Sequence, residues 1–140
     1  MANSYHLSIV LPTRKVFEGE VTEVILPAHD GETGILPNHE NFVGILGTGA
    51  LKYIHQGKDY WLAVSSGIYK VSGNRLSILA ELAERGEDLK ELTDAPAVIR
   101  ELETEIGRKD SFAPETQELI LRLRRERARL EVYRRTNLLN

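Results

Sequence analysis

The sequence predicts an α+β fold of two domains, an N-terminal antiparallel β-sandwich followed by a C-terminal antiparallel two-helix hairpin. Three observations carry this reading. Apolar residues recur at period two from Tyr5 to about Ala80, turn-forming residues interrupt that stretch at short intervals, and beyond Glu84-Arg85-Gly86 the apolar spacing changes to four. The division is expected at residues 1–85 and 86–140.

In the first part, Tyr5, Leu7, Ile9 and Leu11 alternate with polar neighbours, as do Tyr60, Leu62 and Val64, and then Leu76, Ile78 and Ala80. Each set lines one face of a strand, because successive side chains point to opposite sides. Turn signals stand at Pro12-Thr13, Glu18-Gly19, His29-Asp30-Gly31, Gln56-Gly57-Lys58 and Ser72-Gly73-Asn74. Many short strands with no helical pattern between them make a sandwich or flattened barrel. Tyr60 and Trp61 are adjacent on one strand and should point to opposite faces, one into the core and one outward as a possible protein contact. His6 and His55 read as solvent-facing or pairing residues.

In the second part, Val98, Leu102 and Ile106 share one helical face, as do Leu119 and Leu123. Pro96 suits a first turn and Gly107 a helix end, which predicts a first helix over roughly 95–107. Asp110-Ser111 begins the turn back, and a longer second helix should run from near Ala113-Pro114 to about Arg135. Each helix buries only a narrow stripe, so the pair would be marginal alone and needs a surface to dock on.

The charge is sorted between these two arms. Residues 86–110 carry eight acidic side chains against four basic ones, whereas Arg122, Arg124, Arg125, Arg127, Arg129, Arg134 and Arg135 crowd the second helix. One reading is a solvated surface supported by pairing along and between the helices. The other is an arginine face that engages an acidic partner, since guanidinium suits carboxylate recognition. Nucleic acid fits less well, because Glu118, Glu126 and Glu131 share the helix and the net charge is −3.

Composition sets outer bounds. With 41% hydrophobic and 28% charged residues in 140, the chain reads as ordinary globular protein. No apolar run approaches the ~20 residues of a membrane span, so no direct lipid insertion is expected. The start Met1-Ala2-Asn3-Ser4 lacks a signal-peptide pattern, and the absence of cysteine fits a reducing compartment such as the cytoplasm.

The stretch Gly31-Glu32-Thr33-Gly34-Ile35-Leu36-Pro37-Asn38-His39 reads as a structured exposed loop, in which glycines and Pro37 constrain the backbone around Glu32 and His39. Together with Leu26-Pro27, the spaced Gly44, Gly47 and Gly49, Tyr5-His6-Leu7, Ser66-Gly67-Ile68, Leu76-Ser77-Ile78-Leu79-Ala80 and the acidic-then-basic tail, it resembles the epsilon subunit of the F-type ATP synthase. The resemblance covers nearly the whole chain. It implies a non-catalytic rotor subunit whose sandwich joins the gamma subunit to the membrane c-ring, and whose hairpin inhibits ATP hydrolysis. Glu32, Thr33, Pro37 and His39 would contact the c-ring. Arg122, Arg124, Arg125, Arg127 and Arg129 would face the alpha and beta catalytic subunits when the hairpin extends. The implied location is the cytoplasmic face of a bacterial plasma membrane, or the stromal face of a thylakoid, and no cofactor is implied.

Some bacterial members of that family bind ATP through an Ile/Leu-Asp-x-x-Arg-Ala motif. Here the stretch reads Leu89-Lys90-Glu91-Leu92-Thr93-Asp94, so Lys90 and Thr93 replace its charged pair and no nucleotide site is expected. The rival reading is a free-standing β-sandwich that binds a small ligand, or a cupin-like metalloenzyme, with a helical extension. His29, Asp30, Glu32 and His39 would be its ligands, but no His-x-His pair places two imidazoles on one strand face, and no nucleophile stands with a base, so neither a metal nor a catalytic site is expected.

Overall fold

In a computed structural model, which describes residues 3–89, 92 and 94–138, eight strands precede two helices. The strands are β1 (Tyr5–Val10), β2 (Lys15–Val21), β3 (Glu23–Ala28), β4 (Gly31–Ile35), β5 (Phe42–Leu46), β6 (Gly49–His55), β7 (Lys58–Val71) and β8 (Arg75–Arg85). A 3-10 turn, Gly86–Asp88, leads to α1 (Ala95–Gly107) and α2 (Pro114–Leu138).

One continuous sheet folds over on itself to make the sandwich. Its order is β2-β1-β8-β7-β5-β3-β4, with β6 bonded to β3 and β7. The long strand β7 serves both layers, since Gly49–His55 pairs with its first half and Phe42–Leu46 with Gly67–Val71. The crossing lies at Ser65-Ser66-Gly67, where Ser66 has φ 57° and a Cβ on Gly67 would lie 1.9 Å from the Leu79 carbonyl oxygen. Inward residues accordingly change phase, from Leu62 and Val64 to Tyr69 and Val71. Outward residues change with them, so Trp61 and Ala63 belong to one outer face and Ile68 and Lys70 to the other.

The predicted inward set forms the core: Tyr5, Leu7, Ile9, Leu62, Val64, Leu76, Ile78 and Ala80 are buried together with Leu26, Leu51 and Tyr53. The turns at Gln56-Gly57 and Gly73-Asn74 have positive φ at both residues, the backbone that closes two-residue hairpins with the right twist. Glu18-Gly19 is not a turn. β2 runs through it, with Gly19 opposite Leu7, and the missing side chain leaves room for the Phe17 ring.

Burial, assisted by the charge of Glu23, raises the Tyr5 hydroxyl far above the usual tyrosine range, and it donates 2.5 Å to the Ile35 carbonyl. Burial likewise pushes Tyr53 up to about 12 from 10.0. Above pH ~10 the folded chain therefore keeps protons that the unfolded chain gives up, and stability is lost as pH rises toward and through 12. Melting temperature should fall over this window, and Tyr53→Phe should flatten the decline. An equally steep decline in that variant would assign the titration elsewhere.

The first helix coincides with the expected span, and the second extends to Leu138, beyond the expected end near Arg135. Leu102 and Leu123 are the buried leucines of the pair. α2 lies on the outer face of β6 and β7, where Ala63, Leu89, Ala128 and Val132 form a second small core flanked by Ala50, Trp61 and Tyr133. Gly86 permits this approach, since a Cβ there would fall 1.9 Å from the Thr136 hydroxyl. The expectation of one exposed aromatic at Tyr60-Trp61 is corrected. Tyr60 stacks on Tyr53 and Trp61 lies beneath the helix, with the Arg135 guanidinium 5.1 Å from its ring.

Candidate docking surfaces

The outer face that the helices leave uncovered carries an apolar row. Strand register places Ile45 opposite Ile68, Ile68 opposite Leu79 and Leu79 opposite Val10. Ile45, Ile68 and Leu79 are 59%, 50% and 47% exposed, and Val43 lies beside them at 63%. Four adjacent strands thus present branched side chains to solvent along one line, the pattern of a contact surface rather than of scattered exposed apolar residues. The sequence contained the signal: with Leu76, Ile78 and Ala80 inward, Leu79 had to point outward.

The stretch Gly31 to His39 divides into strand and loop. Residues 31–35 form β4, with Glu32 opposite Pro27 and Thr33 opposite Leu26. Glu32 is exposed beside the β3–β4 turn, whereas Thr33 turns toward the same side as buried Ile35. Pro37 and His39 lie in the loop beyond the opposite end of the strand, so the four expected contact residues make an elongated rim and not one cluster. That loop is ordered from two sides. Asn74 accepts the Asn38 amide at 2.8 Å and donates to the Ser4 carbonyl at 3.0 Å, and Asn41 accepts the Gly73 amide at 3.3 Å.

His39 Nδ1 lies 2.8 Å from the Glu40 carbonyl and His55 Nδ1 lies 2.6 Å from that of Glu20. His6 sits between Glu18 and Glu20 at 3.0 and 3.6 Å. Lys15, then His6, hold the exposed Glu18 carboxyl below the usual range. Among the described residues, no group of three or more histidines and carboxylates is placed to hold a metal ion, and His29 and Asp30 form the β3–β4 turn, away from His39. A hollow of about 320 Å³ between the β6–β7 turn and α2 is lined by Lys58, Asp59, Arg85 and Glu87, whose charges balance.

The five arginines do not form one face, contrary to the sequence reading. Arg125 and Arg129 point at the sandwich: Arg125 Nε donates to Ser65 Oγ at 2.8 Å, its Nη2 lies 3.5 Å from Glu81, and Arg129 Nε lies 3.0 Å from Glu84. Arg127 reaches Glu103 of α1 at 3.5 Å. Arg122 and Arg124 are exposed. The 100° step per residue scatters the five around the helix, and the docking of α2 decides which of them are covered. Lys90 and Thr93 lie outside the described residues.

The family model "ATP synthase, Delta/Epsilon chain, beta-sandwich domain" matches residues 4–86. The ATP synthase epsilon chain of Nitratidesulfovibrio vulgaris (strain Miyazaki F) is 47% identical over 89 residues, covering 64% of this chain and 66% of that protein. The chain thus spans just under two thirds of that relative's length. The epsilon chain of Desulfitobacterium hafniense (strain Y51) is 35% identical over 121 residues, covering 86% of this chain and 91% of its own. A chain in the Euglena gracilis mitochondrial ATP synthase (OSCP/F1/c-ring) aligns with a TM-score of 0.79 at 18% identity, over 94% of this chain and 81% of that one. A chain in the central stalk/c-ring of the Tetrahymena thermophila mitochondrial enzyme aligns at 0.55 and 11%, over 88% and 95%. At these identities, the structural likeness is one of fold.

Proposed function

The chain belongs to the ATP synthase delta/epsilon family, and from that premise we propose that it is a non-catalytic central-stalk subunit of an F-type ATP synthase. In this reading it binds the gamma subunit and the c-ring and transmits ion-driven rotation toward ATP synthesis. Its helices restrain ATP hydrolysis by contacting the alpha and beta subunits. It needs no cofactor of its own, and it sits peripherally on the cytoplasmic or stromal side of the membrane. No helix among the described residues is long and apolar enough to cross a membrane, so attachment would come through partners.

The observation that carries the proposal is the uncovered row Ile45–Ile68–Leu79–Val10. One outer face of the sandwich is occupied by the chain's own hairpin, and the other presents apolar surface that nothing among the described residues covers. Gamma is the occupant we assign to it. The rim Glu32, Thr33, Pro37 and His39, pinned by Asn74 and Asn41, is assigned to the polar loops of the c-ring, because an ordered loop loses little entropy on contact. Mixing the full chain with gamma, alpha and beta should give one co-eluting complex by size-exclusion chromatography. A chain that elutes alone overturns the proposal.

We further propose that residues 1–85 fold independently and that 86–140 are the regulatory part. Among the described residues, the sandwich core draws none from the helices. The second core contains few large side chains, of which Leu89 and Val132 contribute about 1.5–3 kcal/mol each. A chain ending at Arg85 should remain cooperative, with dispersed amide resonances and a modestly lower melting temperature. A molten fragment would show the two parts to be one folding unit.

A further inference from the structure

We propose that Ser65, Glu81 and Glu84 act as an internal decoy for the arginines of α2, holding in the docked hairpin the same guanidiniums that the extended hairpin would offer to an acidic partner. This rests on the inhibitory reading above and adds the device that would regulate it. Its basis is the division of the arginines. Arg125 is held by Ser65 and Glu81, Arg129 by Glu84 and by Glu126 of its own helix, and Arg127 by Glu103. Arg122 and Arg124 are exposed, and among the described residues no carboxylate lies within 4.0 Å of them. Docking on the sandwich therefore withdraws two of the five cations, Arg125 and Arg129, from any partner, while Arg127 pairs within the hairpin and stays exposed.

The apolar part of the docking surface is slight. Ala63 and Ala128 are two of its four buried residues, so polar contacts weigh heavily in the balance between docked and free helices. Ser65 is the strongest polar element. Its side chain is fully buried, and its hydroxyl lies 2.8 Å from that of Thr48 and 3.3 Å from that of Ser66, so Arg125 completes a network built into the strand crossing. Glu81 and Glu84 stand where β8 passes between layers, and Arg125 and Arg129, one turn apart, reach both. Because an acidic partner surface offers the same chemistry as these carboxylates, the two states compete for one set of donors. A partner shifts that equilibrium only by its advantage over the decoy.

The test uses the full chain, which lacks cysteine, with spin labels introduced at Lys58→Cys and Asn137→Cys. Glu81→Gln with Glu84→Gln keeps size and removes charge at one exposed and one partly exposed position. Distances by pulsed electron resonance should lengthen, with the docked-to-undocked ratio falling about fivefold. Ser65→Ala should shift the ratio in the same direction. In the assembled complex, the carboxylate variants should hydrolyse ATP more slowly than the parent, since their arginines are intact and released. Distances unchanged in both variants overturn the latch, whatever deletion of 86–140 does to hydrolysis. Lengthened distances with unaltered hydrolysis overturn the decoy, and if the deletion is also without effect, the inhibitory reading falls with it.

Discussion

Replacing Ile68 and Leu79 together by Asp is expected to remove the chain from the assembled synthase while leaving its own fold intact. The two side chains are neighbours across β7 and β8, about half exposed, and point away from the core. In the isolated chain the change places charge in water and should move the melting temperature little. In a complex that buries the row, each substitution forfeits about 0.7–1.5 kcal/mol of apolar burial, half the value for a fully exposed side chain. It also buries a carboxylate that has no partner, which costs more. At 1.4 kcal/mol per decade, the summed loss weakens binding by about a thousandfold or more. Co-elution with gamma should vanish. Ile68→Ala alone should weaken it by roughly tenfold, which orders the two variants if burial is the cause. Parent-level co-elution by the double Asp variant would clear this face of any role in gamma binding.

What could be read from the sequence was what depends on local period. Alternation identified the inward residues of β1, β7 and β8, and a spacing of four with Pro96 identified α1. It failed where tertiary contacts decide. Gly19 looked like a turn because glycine weakens a strand, but pairing to β1 on one side and the Phe17 ring above it hold β2 straight through. Gly31 to Ile35 looked like loop because two glycines and two polar residues hide its one core position, Ile35, yet pairing with β3 makes it an edge strand. Trp61 could not be assigned to an inner or outer side, since what covers it is a helix that starts more than fifty residues later.

The arginines teach the same lesson about the candidate sites. Their number and their place on α2 were visible in composition, but their grouping depends on which side of α2 meets Ala50, Ala63 and Trp61. Ser65, Glu81 and Glu84 gave no signal at all, because a serine pair and two glutamates three residues apart on a strand read as ordinary surface. The apolar row was half legible. Leu79 broke the alternation visibly, whereas its neighbours Ile45 and Ile68 become a row only once the strands are set in register.

Deleting residues 86–140 should raise ATP hydrolysis by the assembled complex about tenfold without preventing assembly, because the row and the rim both lie within the sandwich. Exposed charge pairs contribute about 0–1 kcal/mol each, so five arginines acting on an acidic surface need supply only ~1.4 kcal/mol in net advantage to hold ten complexes inhibited for each active one. Reversing all five arginines to Glu is a less direct test. It removes the partner contacts, but Arg125→Glu and Arg129→Glu also set carboxylates against Glu81 and Glu84, driving the hairpin off the sandwich by repulsion. Arg122→Glu with Arg124→Glu separates the two effects, since neither residue takes part in docking. That pair should leave the labelled distances unchanged and relieve hydrolysis by a severalfold factor smaller than the deletion does. Helical content, measured first by circular dichroism, guards against a hairpin that has simply unfolded. If the deletion leaves hydrolysis at the parent rate in a complex shown to contain the truncated chain, the hairpin is no brake. Arg125 and Arg129 then serve only to fasten α2 to the sandwich through Ser65, Glu81 and Glu84.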